Sequence, residues 1–191
     1  EMGRPVEIEF AVDITDQQFA SFYVLQIRPI VDNKEVVHED LEDVPQLNTI
    51  LFSKNALGNG ISNDVHDVVY VKTTAFNASK NPLIAREIES LNNRFAEEGV
   101  NYVLVGPGRW GSSDPWLGIP VKWPHISQAR VIVESGMENY RIEPSQGTHF
   151  FQNLTSFGVG YFTVNPFAEN DGFFDEEFLN AQSAVYETEF I

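Results

Sequence analysis

The residues from Val68 to Val105, VVYVKTTAFNASKNPLIAREIESLNNRFAEEGVNYVLV, decide the fold of this chain. The stretch opens with β-branched side chains, and it predicts a strand over Val68–Thr73. A helix follows, for which Asn81 is the predicted N-cap, because its side chain can accept a hydrogen bond from a first-turn amide. Pro82 then occupies the first helical position, where its missing N–H has no cost.

This predicted helix carries a single apolar stripe. Gly99 ends it, because glycine adopts the left-handed conformation of a helix C-terminus without steric penalty. Asn101–Val105 predicts the next strand, and two strands joined by a helix of this length normally lie parallel. We therefore predict an α+β fold, with a mixed sheet that contains at least one β-α-β unit. The stripe consists of Ile84, Ile88, Leu91 and Phe95.

Further elements follow from the same patterns. Alternating or β-branched runs predict strands at Ala129–Glu134, near Asn139–Glu143, at Val159–Val164 and in the tail at Tyr186–Ile191. Helices are predicted at Thr148–Thr155 and Asp175–Gln182.

The N-terminal residues predict an antiparallel β-hairpin, with a second strand at about Phe19–Ile30. Glu7 and Glu9 lie two positions apart and so leave one face of the first strand, and Gln26 and Arg28 do the same on the second. Two carboxylates suit a hard divalent cation, and a guanidinium with an amide suits phosphate oxygens. A solvated polar face with a cross-strand ion pair is the alternative interpretation.

Two motifs in this hairpin resemble a known family. The stretches VEIEFAVD at Val6–Asp13 and FYVLQIRP at Phe22–Pro29 resemble the closing hairpin of the nucleotide-binding domain in pyruvate phosphate dikinases and phosphoenolpyruvate synthases, which has the ATP-grasp fold. The resemblance covers residues 4–31 only. It implies that the parent protein is an ATP-dependent phosphotransferase, that its substrate is a small molecule such as pyruvate, and that its partners are the remaining domains of the same polypeptide.

For individual residues, the resemblance implies a site for ATP and Mg²⁺. Glu9 would help to hold Mg-ATP with Glu7 nearby as a second metal ligand, and Gln26 and Arg28 would reach the nucleotide phosphates. Glu7 stands where the family usually has Asp. The chain has neither the family's histidine-bearing glycine-rich motif nor room for its barrel domain, so we expect a piece of a longer polypeptide that is inactive alone.

An acidic stretch separates the hairpin from the rest of the chain. Residues 32–46 contain six Asp or Glu residues and a single Lys. We predict a terminal hairpin of an ATP-grasp-like domain at 1–31, an acidic linker at 32–46 and an α+β module of unknown function at 47–191. A solvated acidic loop within one domain is the alternative.

A second candidate site is the loop GPGRWGSSD at Gly106–Asp114, directly after a predicted strand. It matches G-x-G-x-x-G, and Glu134 follows about twenty residues later as in a dinucleotide fingerprint, but the prolines after the loop argue against the required helix. Its amides and the Arg109 fork would still suit a small anion. The candidate anion-binding residues are Gly106, Gly108, Arg109, Gly111 and Ser112; a structural loop fixed by the packing of Trp110, Trp116 and Trp123 is the alternative.

His149 is a third candidate. It follows Ser145-Gln-Gly-Thr near a predicted helix start, where the helix dipole favours the neutral imidazole as an acid, a base or a ligand. A packed or capping histidine is the alternative interpretation.

Composition limits the remaining function classes. The 191 residues carry 12 Lys+Arg against 28 Asp+Glu, a net charge of −16, which disfavours nucleic-acid and membrane-surface partners. The absence of Cys excludes disulfides, thiolate metal sites and a cysteine nucleophile. No apolar run reaches the length of a membrane span, and we expect a cytoplasmic protein. Two rivals remain: a non-catalytic interaction or regulatory module, and a nucleotide-cofactor enzyme that uses the Gly106–Gly111 loop.

Overall fold

The computed structural model describes residues 6–15, 20–29, 49–58, 60–139, 141–143, 150, 154, 157–169 and 171–191, without the side chains of Glu7, Arg28 and Pro29. His149, the whole predicted linker at 32–46 and most of the predicted helix at 148–155 lie outside these residues. The chain forms two compact units, Glu1–Lys34 and Glu35–Ile191. None of the described helices combines the length and apolarity needed to cross a bilayer.

The first unit is the predicted antiparallel hairpin of β1 (Val6–Asp13) and β2 (Ser21–Pro29). Glu9 pairs with Gln26 but Phe10 pairs with Val24, so a bulge leaves Leu25 without a direct partner. The sequence of β2 predicts strict alternation, with Tyr23, Leu25 and Ile27 on one face. That prediction is wrong at this point, because one extra residue exchanges the two faces of a strand. The bulge collects the apolar residues on one face: Ile8, Phe10, Val12, Phe22, Val24 and Ile27.

The second unit is built around one mixed sheet. Its described elements are β3 (Leu51–Ser53), β4 (Asn55–Leu57), β5 (Asp67–Tyr70), α1 (Asn81–Glu98), β6 (Tyr102–Pro107), β7 (Arg109–Trp110), β8 (Gly118–Ile119), β9 (Ala129–Ser135), β10 (Gly160–Val164), β11 (Gly172–Phe174) and α2 (Glu176–Asn180). The five-stranded sheet has the order β4-β10-β9-β6-β5. β5, β6, β9 and β10 are parallel, and β4 is the antiparallel edge. The predicted fold class, including the β5-α1-β6 unit, is confirmed.

Helix α1 buries its predicted stripe against the sheet. Ile84 and Ile88 are fully buried, and burial of each such side chain contributes roughly 1.5–3 kcal/mol. Gly99 ends the helix with a φ of 68°, as predicted. The predicted cap is wrong: Lys80 occupies the N-cap position, so Asn81 is the first helical residue and Pro82 the second. The buried side-chain amide of Asn81 instead donates to the carbonyl oxygens of Pro115 and Gly118.

Two cores cover the two faces of the sheet. The larger core joins α1 to the sheet and to the segment after β6, and it includes Tyr102, Trp110 and Ile126. The smaller core lies among Val105, Val133, Val164 and Phe174, and Leu51 and Leu179 pack against it from β3 and α2. The predicted strand at Val159–Val164 and the helix at Asp175–Gln182 are confirmed in slightly shorter form, with Asp175 as the N-cap of α2.

Three predicted strand segments differ in the structure. β5 ends at Tyr70 rather than Thr73, because Thr73–Ala75 forms a 3-10 turn. Residue 139 lies in a turn, and residues 141–143 are not in a strand. The tail is not a strand either, because Phe190 and Ile191 pack into the larger core and the Phe190 carbonyl accepts from the Lys72 amide.

Two tyrosines should ionise late. Burial raises the pKa of Tyr102, and burial followed by the hydrogen bond donated to Glu176 raises the pKa of Tyr70. A phenol whose folded-state pKa is raised adds stability that is fully present below the unfolded pKa of about 10 and is lost as the pH rises through the folded pKa.

In an alkaline titration followed by tyrosinate absorbance, we therefore expect these two phenols to ionise only as the protein unfolds. Tyr70→Phe and Tyr102→Phe should each remove one late-ionising group. Early ionisation of all six tyrosines in the folded protein would contradict this expectation.

Candidate functional site

The four residues of the predicted Mg-ATP site form two neighbouring cross-strand pairs. The backbone register places Glu7 opposite Arg28 and Glu9 opposite Gln26. Opposite positions, and positions two apart on a strand, belong to the same face of a ribbon, so the four positions share one face. The side chains of Glu9 and Gln26 are half-buried. The bulge after Glu9 leaves this part of the register intact.

The same face carries a further carboxylate at the far end of the hairpin. Asp13 is opposite Ser21, and hydrogen bonds donated by the hydroxyl and the amide of Thr15 lower the pKa of its exposed carboxyl. Among the residues that the structure describes, no three His, Asp or Glu side chains gather as a metal-binding group. Two carboxylate positions on one ribbon face are the part of a hard-cation donor set that this unit supplies.

The glycine-rich loop leaves the carboxyl end of β6 and continues as β7, not as a helix. Four consecutive loop amides donate to groups of the protein at distances of 2.9–3.1 Å. These four amides are therefore closed to a bound anion, and the charged donor that the loop still offers is the Arg109 side chain. The donors are Gly108, Arg109, Trp110 and Gly111, and the acceptors are the Ser135, Leu117 and Ile119 carbonyls and Oε1 of Glu134.

Close packing accounts for the glycines of the loop. A Cβ at Gly106 would lie 2.6 Å from the Trp110 ring, and one at Gly108, where φ is 78°, would lie 2.6 Å from the Phe76 ring. Gly111 has a φ of 74°. The next predicted residue, Ser112, closes a turn by donating from its hydroxyl to the Asp114 carbonyl at 2.8 Å.

The alternative interpretation was a structural loop fixed by the packing of three tryptophans, and these three side chains differ in burial. Trp110 is 2% exposed, and its indole N–H donates to the Val133 carbonyl at 2.9 Å. Trp123 stacks on Phe157 with ring centroids 4.9 Å apart. Trp116 is 76% exposed and does not fix the loop. The structure therefore supports a packed loop, held mainly by Trp110.

A buried carboxylate fixes the base of this loop. Glu134, at the end of β9, is fully buried and accepts hydrogen bonds from the Trp110 amide at 2.9 Å and from the Tyr161 hydroxyl at 2.5 Å. Thr163 donates to the Tyr161 hydroxyl at 2.9 Å. No sequence motif singled out Tyr161 and Thr163, although their two-residue spacing on a predicted strand places them on one face.

This arrangement argues against a dinucleotide site at the loop. A ribose-binding acid must reach solvent-accessible ligand hydroxyls, whereas Glu134 is enclosed and bonded to the protein. The pyrophosphate of a dinucleotide also requires a helix N-terminus directly after the glycines, and β7 follows here.

Arg109 has the only side chain in this loop with an unsatisfied buried donor. Its Nε atom is buried and has no hydrogen-bond partner. Arg109 takes part in none of the ion pairs between described residues. Arg109 as a residue is only partly buried.

A small cleft lies at the carboxyl ends of β9 and β10. It has a volume of about 300 Å³. Asn165 supports its floor by donating to Asp171 at 2.6 Å and by accepting from the Ile142 amide at 2.7 Å. The lining residues are Met137, Glu138, Asn139, Arg141, Asn165, Phe167 and Ala168. No motif in the sequence predicted this cleft.

The chain was compared with protein-family models, with curated proteins and with solved structures. None of the three comparisons finds a match to this chain.

Proposed function

We propose that this chain belongs to a cytoplasmic ATP-dependent phosphotransferase that resembles phosphoenolpyruvate synthase and pyruvate phosphate dikinase, and that its hairpin contributes contacts to Mg-ATP. The observation that carries the proposal is the register, which pairs Glu7 with Arg28 and Glu9 with Gln26 on one ribbon face. The remaining domains of the same polypeptide supply the rest of the nucleotide site and the site for pyruvate or another small substrate.

The charge order along the two pairs assigns different roles to the two acids. Glu7 is opposite the guanidinium position of Arg28, and Glu9 is opposite the uncharged amide of Gln26. An opposite charge across a strand pair compensates a carboxylate, so a Mg²⁺ ion depends more on Glu9 than on Glu7. Gln26 and Arg28 supply N–H donors for phosphate oxygens, and the fork of Arg28 suits bidentate contact.

The second unit has an accessory role in this proposal. It binds a small anion or docks against a catalytic domain of the parent protein. Its parallel strands end at one edge of the sheet, which is where open α/β sheets bind ligands.

Glu9→Gln tests the hairpin assignment in the natural polypeptide that contains this chain. We expect Mg-ATP affinity, measured by calorimetry, to fall at least about tenfold, because the change removes one charged ligand of a hard cation and keeps the shape. Asp13→Asn removes a carboxylate from the same face of the same strand and keeps an acceptor for Thr15, so it should leave the affinity unchanged. Equal affinities in Glu9→Gln and Asp13→Asn would refute the assignment.

The apolar face of the hairpin favours a second candidate, a non-catalytic interaction or regulatory module. Its six apolar residues are 44–59% exposed, and the Phe10 and Phe22 rings stack with centroids 4.8 Å apart. A two-stranded ribbon of this kind is stabilised by a further surface against that face. Undiminished ATP-dependent activity in the double variant Glu9→Gln, Arg28→Gln would favour this candidate.

A further inference from the structure

The Arg109 guanidinium has a buried N–H without an acceptor, in a chain that has more than twice as many acidic as basic residues. The counts are 28 Asp+Glu and 12 Lys+Arg. The Nε atom is buried and makes no hydrogen bond. Buried donors in folded proteins are nearly always paired, and a charged donor left unpaired is more costly than a neutral one. The Nε–H of Arg109 therefore needs an acceptor from outside the described residues.

The neighbouring carboxylate does not fill this role. Glu134 lies beneath the same loop, but it accepts from the Trp110 amide and the Tyr161 hydroxyl. It does not accept from Nε of Arg109, which makes no hydrogen bond. Glu134 instead holds the adjacent peptide, and so positions the residue that carries the guanidinium.

We infer that Arg109 binds an oxyanion, the oxygens of a phosphate or a carboxylate, through the edge of the guanidinium formed by Nε and one Nη. Nε is the unsatisfied donor, and only this edge pairs it with a second N–H in the parallel arrangement that grips two oxygens of one anion. The four loop amides are closed, so the guanidinium supplies the recognition. This inference deepens the accessory anion-binding role proposed above and rests on it.

The position of Arg109 suits such a ligand. Arg109 lies just beyond the carboxyl end of β6, the edge of the sheet at which ligands of parallel sheets bind. The backbone on both sides is held by bonds to Leu117 and Glu134, so the arginine is pre-organised rather than on a loose loop.

The test follows the Nε–H resonances of the ¹⁵N-labelled 191-residue chain by NMR during titration with inorganic phosphate and, separately, with acetate, at constant ionic strength. Arg109→Lys identifies the Arg109 resonance by removing it. We expect that resonance to shift saturably at millimolar anion. Arg130, exposed at the start of β9 on the opposite edge of the sheet, provides the reference resonance and should not shift in this way.

A shift with phosphate alone assigns a phosphate-bearing ligand, a shift with acetate alone assigns a carboxylate, and a shift with both assigns a general oxyanion site. By calorimetry, Arg109→Lys should bind the active anion at least about tenfold more weakly, because it keeps the charge and loses the fork, whereas Arg130→Gln should bind like the original chain. An Arg109 resonance that shifts no more than that of Arg130 overturns the inference, as does full affinity in Arg109→Lys.

The outcome is distinguishable from that of the Mg-ATP test. Glu9 and the other hairpin residues belong to the first unit, and Arg109 belongs to the second. Failure of the Arg109 test therefore removes the anion site and leaves the hairpin assignment as it stands. If Arg109→Lys does not fold, triple-resonance assignment of the unmodified chain identifies the Arg109 Nε–H, and the titration then decides the inference on that chain.

Discussion

Gly118→Ala is expected to destabilise the second unit by about 3 kcal/mol or more, a large part of the total stability of a domain. A Cβ at Gly118 would lie 1.9 Å from the carbonyl oxygen of Arg109 and 2.7 Å from its backbone nitrogen. Both atoms belong to β7, which pairs with β8 at this position, so no side-chain rotation relieves the overlap. The free energy of unfolding in urea, followed by tryptophan fluorescence, measures the effect.

Gly99→Ala is the matched control for this change. A Cβ at Gly99 meets no atom within 4 Å, but its φ of 68° lies in the left-handed region. The cost should therefore be only the backbone preference, about 1–2 kcal/mol. If Gly118→Ala is no more destabilising than Gly99→Ala, the close contact between β7 and β8 is not as described.

Glu134→Ala has the second large expected effect, a loss of about 3 kcal/mol in the free energy of unfolding. The change removes the acceptor of the Trp110 amide and of the Tyr161 hydroxyl, and it leaves a cavity in a fully enclosed place. Each buried donor left unpaired costs about 1–3 kcal/mol. Chemical denaturation gives the free energy, and amide hydrogen exchange at Trp110 should accelerate.

Two control variants separate the hydrogen bonds from the loss of charge. Glu134→Gln keeps the shape and one carbonyl acceptor for Trp110, so its cost should be smaller than that of Glu134→Ala. Glu138→Ala removes an exposed carboxylate three residues after the end of β9, and the free energy of unfolding should change by less than about 0.5 kcal/mol. A Glu134→Ala variant as stable as Glu138→Ala would contradict a structural role for this carboxylate.

The same change links stability to the proposed anion site. Glu134 holds the Trp110 amide next to Arg109. In any fraction of Glu134→Ala that stays folded, the oxyanion-dependent shift of the Arg109 resonance should weaken, because the guanidinium is no longer pre-organised.

Local sequence patterns predicted the hairpin and the β5-α1-β6 unit. The spacing of apolar residues predicts a strand or a helix, and Gly99 predicts a helix end because glycine adopts the left-handed conformation readily. Such signals need no knowledge of distant residues. The local signals gave a wrong prediction where the role of a side chain depends on a partner distant in sequence. Asn81 has the sequence context of an N-cap, but its side-chain amide donates to the carbonyls of Pro115 and Gly118.

For the candidate sites too, the sequence predicted the residues, and the tertiary structure set their pairing and hydrogen bonds. Local alternation was enough to place Glu7 and Glu9 on one face of their strand, and Gln26 and Arg28 on one face of theirs. Which residues of the two strands pair is set by the register of the hairpin, which only the structure gives. The glycine loop was found as a motif, whereas its closed amides depend on groups of β8 and β9 that are distant in sequence.

Sequence alone thus determined the elements with strong periodicity, the acidic character of the chain and the identity of the candidate residues. The tertiary structure alone decided that Glu134 is buried beneath Trp110, that Arg109 retains an unsatisfied Nε, and that the tail residues Phe190 and Ile191 join the core instead of forming a strand. The physical reason is that periodicity depends on residues that are neighbours in the sequence. Burial and hydrogen-bond partners depend on side chains that come into contact only once the chain has folded.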